Sequence, residues 1–289
     1  SRKELFLCSK VWIQDAGYEK TKESFAKTLE NLQTDYLDLY LIHMPYGDYH
    51  GSWRAMEELY HAGKIRAIGV CNFLSDRLTD LILSHTVVPA VNQIELHPFC
   101  QQVELRQVMQ QYQIQPMAWA PFAEGQNDIF QNPVLMEIGK KYHKTAAQVI
   151  LCWLQQNEII AIPKSVHAER IRENFQSTDF ALSVEEQKQI ENLDLHQSLI
   201  LDLQSLEEVH RLHGINLCSN YDKSERNVMQ YESQKNMDSN CDRSVWIIRG
   251  KSVSCKCCDR NTGCRYQLHA GRYSKFAGLS ACQRNTGSE

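Results

Sequence analysis

The sequence lacks the features that would place it in several large functional classes. It has no apolar run near the roughly 18 residues that a membrane span requires, so we expect no membrane association. It has no G-x-G-x-x-G cluster, which disfavours a Rossmann dinucleotide fold. It also lacks a nucleophile elbow and a complete set of metal ligands at regular spacing, and its basic tail has no interleaved aromatic residues. These absences argue against acyl transfer, zinc hydrolysis and a nucleic-acid partner.

Charge and cysteine divide the 289-residue chain into two unlike parts. Residues 1–216 hold 19 basic and 28 acidic side chains, whereas residues 217–289 hold 12 basic and 7 acidic ones. Seven of the 11 cysteines lie in the second part, and the other four are Cys8, Cys71, Cys100 and Cys152. These four lie in apolar stretches, which is typical of reduced thiols in a cytosolic protein. With no signal-peptide pattern at the start, we expect a cytoplasmic location.

Short strand-like apolar runs alternate with segments of helical period in the first part of the chain. The runs cover residues 5–9, 37–42, 65–70, 91–94, 115–119 and 159–162. The helical segments between them cover residues 19–32, 52–62, 75–83, 102–112, 133–142 and 145–155. Ser52, Ser75 and Pro133 stand at predicted helix starts. The alternation predicts repeated βα units.

Strands separated by helices form a parallel sheet that is covered on both faces. The regular spacing favours an α/β fold of the TIM type, a (β/α)8 barrel, over an open doubly wound sheet. Six of the eight βα units are visible, so we expect an incomplete barrel with two unpaired strand edges, followed by an irregular tail.

Polar or aromatic residues end all six apolar runs, at the edge where parallel barrels carry their active sites. They are Lys10, His43, Asn72, Gln93 with Glu95, Trp119 and Lys164. A lysine beside a histidine suits proton transfer to a polarised carbonyl. The segment after Lys164 starts a short basic helix, which predicts either an anionic cofactor site or a solvated helix start.

Six motifs in order make residues 1–215 resemble an aldo-keto reductase of the bacterial 2,5-diketo-gluconate reductase-like branch. They are S-K-V-W at 9–12, D-Y-L-D-L-Y-L-I-H-M-P at 35–45, G-V-C-N-F at 69–73, N-Q-I-E-L-H-P at 92–98, W-A-P-F at 119–122 and I-P-K-S-V at 162–166. The resemblance implies a barrel that reduces small aldehydes and ketones with NADPH.

The resemblance also implies a role for each matching residue. Lys10 would lower the pKa of a tyrosine proton donor, His43 would orient and polarise the substrate carbonyl, and Trp12 would line the substrate pocket. Asn72 and Gln93 would hold the nicotinamide carboxamide, and Trp119 would stack on its ring. The adenosine end of the cofactor would lie against Lys164, Ser165, Val166, Arg170, Glu173 and Asn174. Cys71 stands where the family often has serine.

The catalytic tyrosine of the family and its aspartate partner lie on two N-terminal βα units that have no counterpart in this sequence. We therefore expect impaired reductase activity, because general acid–base catalysis typically contributes about 10²–10⁴-fold. The alternative is a non-catalytic barrel remnant that retains NADPH binding or serves as a structural or interaction surface.

Residues 216–289 form a Cys-rich basic tail without apolar periodicity. We expect it to be disordered or unselected. A zinc site built from Cys255, Cys258, Cys264 and His269 is the alternative, although the second ligand pair departs from C-x₂-C spacing.

Overall fold

The computed structural model describes residues 2–215, 246–249 and 252–255. The strands are β1 Leu5–Val11, β2 Leu39–Ile42, β3 Ile68–Cys71, β4 Val91–Glu95, β5 Gln115–Trp119, β6 Ile160–Ala161, β7 Trp246–Arg249 and β8 Ser252–Cys255. The helices are α1 Tyr18–Leu32, α2 Tyr49–His61, α3 Ser75–Ser84, α4 Val103–Gln111, α5 Pro133–Tyr142, α6 Ala146–Gln156, α7 Ala168–Phe175, α8 Val184–Glu191 and α9 Leu206–Gly214.

Strands β1 to β6 lie side by side in chain order, and every neighbouring pair among them is parallel. Helices lie between successive strands, so the sheet is the incomplete (β/α)8 barrel that the spacing predicts. Each predicted apolar run overlaps one of these strands, although β1, β3 and β4 extend one or two residues beyond their runs. No helix within the described residues combines the length and hydrophobicity required to cross a bilayer.

The alternation of side chains along each strand produces two separate cores. One core fills the space between the sheet and the helices. The other lies on the inner face of the barrel and contains Cys8, Leu39, Leu41, Cys71, Val91, Met117 and Ile160. Gly69 is required on this inner face, since a Cβ there would meet Val91 O at 2.5 Å and the Leu41 side chain at 2.8 Å. All four cysteines in residues 2–215 are buried with free thiols.

Helix α2 begins three residues earlier than the sequence predicts. Asp48 is its N-cap, and the Asp48 carboxylate accepts a hydrogen bond from Gly51 N at 2.7 Å. Ser52 is not a cap; its hydroxyl accepts from Gly17 N at 2.9 Å and from the Thr21 hydroxyl at 2.9 Å. Ser52 therefore fastens α1 to α2.

Strands β7 and β8 were not predicted from the sequence. They form an antiparallel pair, and β7 pairs antiparallel with β1 over residues 5–8. The expectation of an unpaired edge at β1 is thus wrong, while β6 has no second partner strand among the described residues. The remainder of the tail, with the side chains of the alternative zinc site, lies outside the described residues, so the tail's assignment as disordered or unselected stays a prediction.

Candidate active site

The carboxyl ends of β1 and β2 bring Lys10, Trp12 and His43 to one edge of the barrel. Lys10 pairs in register with Leu41, and His43 N donates to Val11 O at 3.0 Å. The Trp12 and His43 rings meet edge to face with centroids 4.8 Å apart. These three residues therefore form one group: Lys10 on the inner face of β1, Trp12 just after β1 and His43 just after β2. This agrees with the expectation that the carboxyl ends of parallel barrel strands meet at one edge.

The environment of His43 keeps its imidazole neutral. Burial disfavours the charged ring and lowers the pKa of His43 well below 6.5, and the positive charge of Lys10 lowers it further. A neutral imidazole next to a lysine offers a hydrogen-bond donor and a fixed positive charge side by side. Both are suited to an oxygen on which negative charge develops.

Asn72 connects three parts of this edge. It follows β3 with φ +62°, a left-handed conformation that asparagine tolerates better than most residues. Its Nδ2 donates to His43 O at 3.1 Å and contacts Met44 Sδ at 3.3 Å. Its Oδ1 accepts from Trp119 Nε1 at 2.8 Å. Asn72 is 5% exposed, so these contacts hold a nearly buried amide between β2 and β5.

Gln93 lies on the inner face of β4 and is 2% exposed. Its Nε2 contacts Met117 Sδ at 2.8 Å, and its Oε1 accepts from the Cys71 thiol at 3.8 Å. Burial raises the pKa of Cys71 to about 11, so the thiol keeps its proton and can donate. Thioether and thiol sulfur are weak partners, so the Gln93 amide, like Asn72 Nδ2 beside Met44, retains hydrogen-bonding capacity.

A second group of predicted residues follows β6 at the same end of the sheet. Lys164, Val166 and Arg170 are exposed, whereas Asn174 on α7 is 8% exposed. Ser165 Oγ accepts from His167 N at 3.2 Å, which shapes the turn into α7.

Both groups include a residue that the resemblance assigns to the cofactor and whose side chain also binds another part of the protein. Asn72 is engaged as described above, and the Glu173 carboxylate accepts a hydrogen bond from the Thr145 hydroxyl. Within the barrel edge, contacts and charge connect five predicted residues: Lys10, Trp12, His43, Asn72 and Trp119.

A buried carboxylate lies next to this edge, at a strand-end residue to which the sequence assigns no role. Glu95 ends β4, is 3% exposed, and accepts from His97 Nε2 at 3.0 Å, from the Ser198 hydroxyl and from Leu199 N at 2.9 Å. Burial alone would raise the pKa of the Glu95 carboxyl, but these hydrogen bonds outweigh it and lower that pKa. Its polar position at a strand end was visible in the sequence; its partners more than 100 residues away were not.

Glu95 anchors a segment that we call the C-terminal strap, residues 198–215. Further along the strap, Tyr46 Oη donates to Leu203 O at 2.8 Å, and Trp12 Nε1 donates to Ile215 O at 3.2 Å. The strap thus holds the indole that contacts His43. Helix α9 lies within it and begins after its N-cap Ser205, and the spacing of Ser205 and Glu208 in the sequence is typical of a helix start.

No cluster of three or more His, Cys, Asp or Glu side chains within the described ranges is arranged to hold a metal ion. The groups able to meet a ligand at the barrel edge are therefore amides, an imidazole, an ammonium and two indoles.

Known proteins resemble this chain in both sequence and structure. The profile of the Aldo/keto reductase family matches residues 1–195. Glyoxal reductase of Bacillus subtilis (strain 168) is 49% identical over 195 residues, which cover 67% of this chain and 70% of that protein. Methylglyoxal reductase DkgA of Escherichia coli (strain K12) is 40% identical over 197 residues, covering 67% and 71%. The chain thus spans about 70% of the length of these curated relatives.

Solved structures agree with the sequence comparison. An aldo/keto reductase from Brucella melitensis is 41% identical, with a TM-score of 0.64 over 67% of this chain and 75% of that one. An aldo-keto reductase of the silkworm, Bombyx mori, in complex with NADPH is 32% identical, with a TM-score of 0.65 over 68% and 66%.

Proposed function

Because the chain belongs to the aldo/keto reductase family, we propose that it binds NADPH and acts on small aldehydes and ketones as an NADPH-dependent carbonyl reductase, with impaired turnover. The observation that carries this proposal is the connected group of Lys10, Trp12, His43, Asn72 and Trp119 at the carboxyl edge of the barrel. The curated relatives named above are a glyoxal and a methylglyoxal reductase, and one solved relative carries NADPH.

The amides at the barrel edge fit a nicotinamide carboxamide. Asn72 and Gln93 are nearly buried, and each has an amide N–H against a methionine sulfur. Carbonyl oxygen is a much better acceptor than a thioether, so a bound carboxamide would improve both contacts. Trp119, held by its indole N–H, presents a ring beside them.

Within this proposal the protein's own groups act on the carbonyl. The neutral His43 imidazole donates a hydrogen bond to the substrate oxygen, and Trp12 limits the pocket beside it. The Lys10 charge stabilises negative charge that develops on that oxygen. NADPH, when bound, supplies the hydride.

Proton delivery is the step that we propose to be impaired. Tyr46 lies three residues after His43, but its hydroxyl donates to Leu203 O and its ring contacts His213. This arrangement also favours the second candidate function, a barrel that binds NADPH without turnover. The two differ in catalysis and not in cofactor binding.

The group after β6 would determine the choice between NADPH and NADH. Lys164 and Arg170 would contact the 2′-phosphate that only NADPH carries, with Ser165, Val166, Glu173 and Asn174 around the adenosine. Charge-assisted hydrogen bonds contribute about 1.5–3 kcal/mol, which is roughly 10- to 150-fold in affinity.

The test titrates the 289-residue chain with NADPH and NADH and follows cofactor fluorescence. Arg170→Met and Lys164→Met should each weaken NADPH binding by at least about tenfold and leave NADH unchanged. Arg172→Met is the matched control, an exposed arginine on the same helix. Absence of NADPH binding, or equal losses for both cofactors, would contradict the proposal.

NADPH oxidation with methylglyoxal measures the catalytic part. We expect a rate about 10²–10⁴-fold below that of a relative such as glyoxal reductase. Turnover near the relative's rate would show that proton delivery is intact, whereas binding with no turnover would favour the second candidate.

A further inference from the structure

The residues at the start of α6 bind the C-terminal half of α7 through side chains to which the proposed function assigns no role. Thr145 donates its hydroxyl to a Glu173 carboxylate oxygen, and Gln148 Nε2 donates to Glu173 O at 3.0 Å. Lys144 adds a hydrogen bond to Gln176 O at 3.2 Å. One short segment therefore holds both the side chain and the main chain of Glu173.

The same two residues form the capping box of α6. Thr145 Oγ1 accepts from Gln148 N at 3.3 Å, and Gln148 Oε1 accepts from Thr145 N at 3.1 Å. Each side chain thus uses its acceptor for its own helix and its donor for α7. Gln148 is 5% exposed, so water does not replace Glu173 O as the partner of the Gln148 Nε2 donor.

We propose that Thr145 and Gln148 are positioning residues for the adenosine end of NADPH. They hold Glu173 and the neighbouring Asn174 in their ligand-binding orientation before the cofactor arrives. The inference rests on the proposed function, since it takes α7 as the adenosine site. It adds that the affinity of this site depends on donors outside it.

Substitutions in the capping box can separate the capping of α6 from the hydrogen bonds to α7. Thr145→Asp keeps an N-cap acceptor but removes the hydroxyl donor and places a like charge against Glu173. Gln148→Glu keeps the acceptor that completes a capping box but removes the Nε2 donor. Thr145→Ser keeps both the N-cap acceptor and the hydroxyl donor and is the matched control.

The experiment measures the affinity of the full chain for NADPH and for 2′,5′-ADP, a fragment that carries only the adenosine end. Hydrogen exchange of α6 and α7 is measured in parallel. We expect Thr145→Asp and Gln148→Glu each to weaken 2′,5′-ADP binding about tenfold, which corresponds to 1.4 kcal/mol. Exchange should accelerate in residues 168–175 but not in α6, and Thr145→Ser should match the wild-type chain.

Three results would overturn the inference. If the wild-type chain binds NADPH and both donor-lacking variants retain wild-type affinity for 2′,5′-ADP, the inference fails and the proposed function stands. If α6 exchanges faster together with α7, loss of the cap explains the effect. If the wild-type chain binds neither ligand, the proposed function fails and the inference with it. Gln148→Glu keeps the test available should Thr145→Asp not fold.

Discussion

Substitution of Asn72 separates the hydrogen bonds of the barrel edge from the backbone conformation that supports them. Asn72→Gly removes the bonds to Trp119 Nε1 (2.8 Å) and His43 O (3.1 Å) and adds no backbone strain, because glycine adopts φ +62° freely. At about 0.5–1.5 kcal/mol for each bond, the free energy of unfolding should fall by roughly 1–3 kcal/mol.

Asn72→Ala loses the same two bonds and also forces a Cβ-bearing residue without a local hydrogen bond into the left-handed region. That conformation costs about 1–2 kcal/mol. Alanine should therefore destabilise the chain by about 1 kcal/mol more than glycine does. Both variants should also weaken NADPH binding, since Trp119 loses the partner of its indole N–H.

Urea unfolding followed by tryptophan fluorescence measures these differences, provided that the slope of free energy against urea is unchanged. Gln33 is the control position, exposed and at φ +51°. Gln33→Gly should be more stable than Gln33→Ala by a similar amount. If Asn72→Ala is no less stable than Asn72→Gly, the backbone argument is wrong; losses below about 0.5 kcal/mol in both would refute the hydrogen-bond argument.

Three further predictions concern charge, pH and the strap. Asp38 is 2% exposed, accepts hydrogen bonds from Leu7 N and Arg66, and forms an ion pair with Arg2. Asp38→Asn should therefore lower the free energy of urea unfolding by about 2–3 kcal/mol, which is below the usual 3–5 because both arginines reach solvent. The exposed Asp76→Asn is the control and should cost almost nothing. Because the pKa of His43 is lowered in the folded chain, the unfolded chain binds more protons than the folded chain below pH 6.5. The free energy of unfolding should therefore fall as the pH drops through 6.5. A His43→Gln variant with the same slope of unfolding free energy against pH would contradict this. Trp12→Phe keeps an aromatic ring against the His43 imidazole but loses the hydrogen bond to Ile215 O in the strap. The free energy of thermal unfolding should therefore change by only about 1 kcal/mol, while the Michaelis constant for methylglyoxal should rise. An unchanged Michaelis constant would show that the strap does not influence the substrate pocket.

The strands and the strand-end residues could be predicted because they depend on local rules. Apolar runs of strand length recur at βα spacing, and parallel strands end at a common edge, so Lys10 and His43 had to be neighbours once the sheet was parallel. Helix α2 was misplaced because Asp48 and Ser52 are both acceptable caps in sequence. Only the contact of Ser52 with α1 distinguishes them.

Partners distant in the chain could not be predicted in this way. Glu95 meets Ser198 and Leu199 across more than 100 residues, and β7 pairs with β1 from the far end of the sequence. Composition and periodicity carry no information on which of many polar side chains will meet when the chain closes on itself.

The sequence by itself determined the class of fold, the order of the βα units and the residue types at the barrel edge, since hydrophobic period and strand direction follow from neighbouring residues. The tertiary structure decided which of those residues are already engaged. Asn72 bridges His43 and Trp119, and Thr145 holds Glu173, because donors and acceptors that are buried together must pair with each other.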